Sequence, residues 1–232
     1  MLAIVLALYL TGCQEDPIGP SQERVRTYLR VLNAYSKLPG GVDVRFRSYG
    51  ESRIVADGVR FREGWPTTGY ASLLTFLEAD TSELRSRGTI EVLDHSTKEV
   101  IYIQEFFFTP ETQTTLAVVD SFGKPLVVKT IDLPKAFTPG TVNVRFMNLS
   151  SALRSVSLRS ADDSIDIDRL NFLNYSSFEL HLADVYTFYF INDLTGYKID
   201  SITSLNLSAR KSYSFYLTQT NGFPVPGYEI LE

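Results

Sequence analysis

Arg30-Val31-Leu32-Asn33 decides the fold, because Arg145-Phe146-Met147-Asn148 restates it: an arginine, two apolar residues and an asparagine. Working outward, Val42-Asp43-Val44-Arg45 is answered by Val156-Ser157-Leu158-Arg159. Thr89-Ile90-Glu91-Val92-Leu93-Asp94 is answered by Thr187-Phe188-Tyr189-Phe190-Ile191-Asn192, and Phe106 to Val119 lies over Leu205 to Leu217. One such match is cheap, but four in unbroken order mark an internal duplication. The second copy is shorter in its middle, and Phe137-Thr138-Pro139-Gly140 interrupts the pattern between the copies.

The repeated segments carry strand chemistry. Tyr28-Leu29-Arg30-Val31-Leu32-Asn33 and Val42 to Arg47 alternate polar with apolar residues across a Pro39-Gly40-Gly41 turn. Leu73–Leu77, Gly88–Leu93, Val100–Phe108, Thr114–Val119 and Leu126–Ile131 continue the series. They are rich in the β-branched and aromatic types that fit a half-buried pleated surface. Glu78 to Arg85 is the best helix candidate. Copies of about 90–115 residues with about seven short strands each predict an all-β chain of two tandem immunoglobulin-like β-sandwiches. The expected domains are residues 25–138 and 139–232, preceded by a signal peptide (1–12) and a tether (13–24). Phe106-Phe107-Phe108 and Tyr186–Phe190 are expected to put rings on both faces of a strand, one into the core and the other against the sister domain.

Met1 to Thr11 is uncharged and apolar, too short for a bilayer-spanning helix of about 20 residues but right for the core of a secretory signal. A signal ordinarily opens on Lys or Arg. Here Met1 runs straight into the apolar core, so a basic segment is expected upstream of it. Leu10-Thr11-Gly12-Cys13 resembles the lipobox of bacterial lipoproteins. That resemblance implies cleavage before Cys13, acylation of its thiol and new amino terminus, and a bilayer as partner. Several acyl chains hold firmly where one is marginal. Gln14-Glu15-Asp16 and the Pro17–Ser21 run read as a short tether. Its acidic pair is either an ordinary solvated linker or a surface-export signal like that of Bacteroidetes lipoproteins. The expected location is the cell envelope, lipid-anchored at the outer membrane and open to surface exposure.

The repeat resembles the bacterial family called domain of unknown function 4397. The residues that carry the likeness are Arg30–Asn33 with Ser36, Arg145–Asn148 with Ser150, the strands at Gly88-Thr89-Ile90 and Val185–Phe188, and the closing Lys211–Leu217 strand. Lys37-Leu38-Pro39 and Ala152-Leu153-Arg154 stand where that family has Pro-Asp-Ala-Pro. The resemblance implies an exported, often lipid-anchored sandwich protein with no assigned activity.

Chemistry is sparse. With Cys13 the only cysteine, no internal disulfide can form, so a hydrophobic core must hold the fold. A net charge of −5 without a basic block argues against nucleic acid as a partner. His95, in the polar turn after Asp94, reads as a solvent-exposed turn residue, and His181 lies on a strand face. Neither has the Gly-x-Ser-x-Gly elbow or the metal-ligand neighbours of a reaction centre. No enzyme activity and no cofactor are expected. Asp162, Asp163, Asp166 and Asp168 could offer oxygens to calcium, or could be the solvent face of a strand. The insert Phe61-Arg62-Glu63-Gly64-Trp65-Pro66-Thr67-Thr68-Gly69-Tyr70 holds the only tryptophan. Trp65 and Tyr70 are candidates for stacking on a sugar, or Trp65 plugs a domain end. A non-enzymatic module binding a glycan, matrix component or envelope partner is expected. The alternative is an assembly lipoprotein docked on an outer-membrane complex.

Overall fold

β-branched and aromatic runs cut by Gly, Pro and Asp turns leave the chain one regular structure to adopt. The computed structural model describes residues 24–48, 51–66, 70–76 and 86–231, with side chains 24, 65 and 73–76 outside that description, and these residues form strands and turns without a helix. The helix candidate Glu78–Arg85 falls outside them, as do Cys13 and the tether. The first copy supplies β1 (Arg24–Ala34), β2 (Val42–Ser48), β3 (Glu51–Val59), β4 (Gly64–Trp65), β5 (Ala71–Phe76), β6 (Ser86–Asp94), β7 (Val100–Phe108), β8 (Gln113–Ser121) and β9 (Lys124–Asp132). The second supplies β10 (Thr141–Asn148), β11 (Ser155–Ser160), β12 (Asp166–Asn171), β13 (Glu179–Leu182), β14 (Val185–Asn192), β15 (Lys198–Asn206), β16 (Ser212–Thr220) and β17 (Phe223–Leu231).

Each copy folds as an immunoglobulin-like sandwich. In the first, a β4-β1-β8-β9 sheet, with β5 also on β1, faces a β3-β2-β6-β7 sheet. In the second, β13-β10-β16-β17 faces β12-β11-β14-β15, the same order strand for strand. β1 runs parallel to β8, and β10 parallel to β16. Leu29, Val31, Val44, Ile90 and Val118 fill the first core, and Val144, Phe146, Leu158, Phe188 and Phe215 fill the second.

The Arg-x-x-Asn repeat works on both faces of its strand, since residues three apart on a strand point opposite ways. Asn33 faces inward: its Nδ2 donates to Val59 O at 2.8 Å and its Oδ1 accepts from Tyr35 N at 2.9 Å. Asn148 repeats this, donating to Leu170 O at 3.0 Å and accepting from Ser150 N at 3.2 Å. Each asparagine thus ties the first strand of one sheet to an edge strand of the other. Arg30 and Arg145 face outward, 2% and 1% exposed, because outward here means toward the sister sandwich.

That seam is built reciprocally. Arg30 Nε donates to Glu229 on β17 at 2.9 Å, while Arg145 Nη1 donates to Asp132 on β9. Arg145 also reaches Ser214 Oγ, and its guanidinium lies 4.6 Å from the centre of the Phe178 ring. Asp132 accepts further bonds from Thr115 Oγ1 at 2.5 Å, Thr130 Oγ1 at 3.0 Å and Tyr70 OH at 2.7 Å. Between the two pairs lies an apolar layer of Leu32, Ala34, Ala117 and Val119 against Met147, Leu149 and Tyr216. With both faces covered, β10 is buried at every residue.

One expectation is corrected. Phe106–Phe108 and Tyr186–Phe190 do not meet the sister domain: they lie on β7 and β14, in the two sheets remote from the seam. Phe106 and Phe108 face the core while Phe107 is exposed, and Tyr189 turns out beneath Lys198 Nζ at 4.0 Å. The second buried face belongs to β1, β8, β10 and β16. Their outward residues are the arginines and small or aliphatic side chains, which carry no sign of what covers them.

Asp132→Ala strands a buried guanidinium and is expected to cost about 3–5 kcal/mol in urea unfolding, the range for breaking one partner of a buried pair. Arg145→Met with Asp132→Leu is expected to cost less than Asp132→Ala alone, since no charge is left unpaired.

Candidate functional site

The duplication makes the two rims of the seam directly comparable. After β3, the turn Arg60–Glu63 closes on the repeat asparagine: Arg62 N donates to Asn33 O at 2.6 Å, with Arg62 at φ 65°. After β12, Leu173 N donates to Asn148 O at 2.8 Å, with Leu173 at φ 71°. Arg62 and Leu173 are therefore equivalent residues in equivalent turns, and both hold a left-handed backbone.

Their surroundings diverge. Leu173 packs with Leu126 and Val128 on the apolar layer, and Phe172 meets Phe122 edge-on at 6.0 Å. Opposite Arg62, the position matching Val128 is Gly227, since Ala117 pairs with Val128 and Tyr216 with Gly227. A Cβ on Gly227 would stand 2.6 Å from the Tyr216 hydroxyl oxygen, so only glycine lets that ring cross the strand. Tyr216 then donates to Arg62 O at 3.3 Å, and Arg62 Nη2 donates to Pro226 O at 2.6 Å. The rim stays open as a cleft of about 380 Å³ lined by Phe61, Arg62, Ile202, Tyr216, Pro226, Gly227 and Tyr228.

Its chemistry is mixed. Phe61 is partly exposed and Tyr228 is 39% exposed, so both offer ring surface. Burial, with Glu229 beside it, pushes the Tyr216 hydroxyl up to about 12, so it stays protonated. Arg62 is exposed, and no described carboxylate lies within ion-pair reach of it. Glu229 is taken by Arg30, and Gly64 is held small because a Cβ there would lie 2.7 Å from Arg30 Nη2.

Of the residues singled out from sequence, Phe61 and Arg62 line the cleft. Trp65 follows three residues after Arg62 and is described by its backbone alone, which pairs with Val31. Tyr70 turns its hydroxyl in to Asp132, and burial, then that carboxylate, drives its pKa up. Tyr228, Ile202 and Pro226 escaped notice because nothing in β15 or β17 marks them until the sister domain is in place.

The Asp162–Asp168 run does not gather into a metal-holding group among the described residues. Ile165 and Ile167 point into the core, Asp166 pairs with Arg159 at 3.0 Å, and Asp168 lies 3.6 Å from the same guanidinium. Asp162 is held by Ser160 Oγ at 2.5 Å and Ser164 Oγ at 2.9 Å. The described residues that do gather are Asp43, Asp57 and His95. His95, rather than standing free in solvent, sits 2.6 Å from the buried Asp43 through Nδ1. Lys98 Nζ already holds the cation's place there, 2.7 Å from Asp43 and 3.8 Å from Asp57. The second sandwich fills the matching positions with Ser157, Asp168 and Asp193, where Ser157 Oγ donates to Asp193 at 2.6 Å. Both sets fasten the turn that follows β6 or β14.

No family model matches the chain, and no curated protein matches it by sequence. Among solved structures, a family CBM26 module of Eubacterium rectale Amy13K, crystallised with maltoheptaose, is similar at 12% identity and a TM-score of 0.27, over 87% of this chain and 96% of that one. A candidate cell adhesion protein of Bacteroides uniformis is similar at 10% identity and a TM-score of 0.25, over 91% and 98%.

Burial raises the Asp43 pKa, but Lys98, the Gly58 N–H and His95 outweigh it and hold the carboxyl down at about 2. A carboxyl lowered from an ordinary value of about 4 adds stability that is complete above that value and disappears as pH falls toward 2. Asp43→Asn is therefore expected to lower the melting temperature at pH 7. Thermal scans should show the gap to wild type closing between about pH 4 and 2.

Proposed function

We propose that this chain is a lipid-anchored, non-enzymatic module of the bacterial cell envelope that binds a glycan in the cleft between its sandwiches. The observation that carries this reading is the unequal seam. At equivalent turns, one rim is lined by Leu173, Val128 and the Phe122–Phe172 contact, while at the other Gly227 admits the Tyr216 ring and the cleft is edged with rings and a cation. The volume falls within the range of small-molecule sites, about 300–1,000 Å³. Pyranose rings stack their apolar face on aromatic side chains, which Phe61 and Tyr228 supply, and their hydroxyls need fixed polar groups nearby. At neutral pH the Tyr216 hydroxyl keeps its proton, so the cleft suits holding a ligand better than moving its protons.

The anchor rests on the lipobox at Cys13, and the family on the likeness to domain of unknown function 4397. Trp65, four residues after Phe61 in the same insert, is proposed as a further stacking residue. A docking role on an outer-membrane complex is the second reading, favoured by Leu194 and Tyr197, apolar side chains 69% and 77% exposed on the turn after β14.

On a glycan array, wild type is expected to bind a restricted set of oligosaccharides, with Tyr228→Ala and Trp65→Ala each at least about tenfold weaker, as loss of a stacking ring predicts. Silence on the array together with recovery of a β-barrel protein from native membranes would favour docking instead. Cys13→Ser is expected to abolish incorporation of radiolabelled fatty acid and release the chain from the membrane fraction. Label retained on the variant would remove the anchor.

A further inference from the structure

We infer that the sugar held in this cleft carries a carboxylate, received by Arg62; the inference rests on the glycan reading of the same cleft. The sister domain provides the control. Leu173 occupies the matching left-handed position and makes the matching bond to its asparagine, so neither the turn nor the seam requires an arginine there. What Arg62 adds is a guanidinium on the cleft wall.

The placement of that group is specific. Its Nη2 is fixed on Pro226 O at 2.6 Å, which orients the plane and leaves other N–H donors of the fork. Arg62, exposed beside Phe61, has no carboxylate partner among the described residues; Arg26, Arg53, Arg60, Arg154, Arg169 and Arg210 share that state, but of these Arg62 alone lines the cleft. The acidic groups near it are committed elsewhere. Glu229 is held by Arg30, and Glu63 turns its carboxylate back to Arg60 N at 3.3 Å. An anion entering the cleft therefore meets one cation and no free carboxylate from these neighbours. A guanidinium matches a carboxylate with two parallel bonds, and a neutral sugar gives that fork nothing equivalent. In a chain of net charge −5, general electrostatics would repel such a ligand, so the attraction has to be local.

The test is an array of matched pairs differing only at the acid: oligogalacturonate and its methyl ester, glucuronate- and glucose-bearing chains, sialylated and desialylated glycans, with sulfated analogues beside them. Wild type is expected to bind an acidic member at least about tenfold better than its neutral partner, as a charge-assisted bidentate bond implies. Arg62→Gln should erase that preference, so that acid and neutral partners bind alike, and Arg62→Lys should restore part of it in a salt-sensitive way. The turn is held by the backbone bond from Arg62 N to Asn33 O, so Arg62→Gln is expected to fold, its melt lowered by no more than the lost bond to Pro226 O. Equal binding of acid and neutral partners, or an unchanged preference in Arg62→Gln, overturns the carboxylate and leaves the cleft reading standing. A preference for sulfate esters over carboxylates also overturns it. Binding of no sugar at all by wild type brings down the cleft reading and this inference together.

Discussion

Two arginines buried to within a few per cent, each answered by a carboxylate from the opposite sandwich, are the constraint on which the rest depends. Taking a guanidinium out of water costs several kcal/mol, about what a well-made pair with extra hydrogen bonds returns. Such pairs add little net stability while both partners are present. What they do is make separation of the sandwiches expensive, because parting would bare an apolar layer and leave charges without partners. They also fix alignment: Asp132 draws bonds from Thr115, Thr130, Tyr70 and Arg145, a set that a slip of one strand position would undo. The two domains are thereby one seam with two outer halves.

A seam made from duplicated parts starts with two equivalent rims, and departures from equivalence are informative. Val128 against Gly227 and Leu173 against Arg62 change side chains while keeping the same turns and the same bonds to Asn33 and Asn148. One rim keeps the apolar contacts that hold the halves together. The other gives up a few of them and carries the cleft instead. The Lys98 turn shows the same economy, with Lys98 at φ 61° where the sister domain places Gly196 at φ 71°.

Architecture was legible in the sequence because duplication can be detected without knowing what either copy contacts. The Arg-x-x-Asn segments, the paired strands after them and the turn chemistry all pointed to sandwiches. β3 was missed because Glu51–Val59 begins with four exposed residues and has a register shift, so alternation fails there. The seam was illegible for a different reason. Arginine on a strand reads as a solvent face, and Glu229 lies 199 residues from Arg30, so no local pattern links them. The cleft inherited that blindness: Phe61 and Arg62 stood out in a composition-rich insert, but Tyr228 gains its meaning only from docking. The aromatic runs misled because Phe107 and Tyr189 simply face outward, a common fate for apolar surface.

The parallel pairing of β1 with β8 has a mechanical side. β1 is the first described strand, and its ladder with β8 runs from Tyr28–Gln113 to Ala34–Val119 in seven consecutive pairs. A load applied along β1 would pull along that ladder rather than across it. The bonds would then bear load together instead of opening one after another, and Arg30, midway along the strand and gripping Glu229, would pass the force directly into the second sandwich. Peeling from an end, the weakest mode of a β ladder, is the mode that such a load does not present.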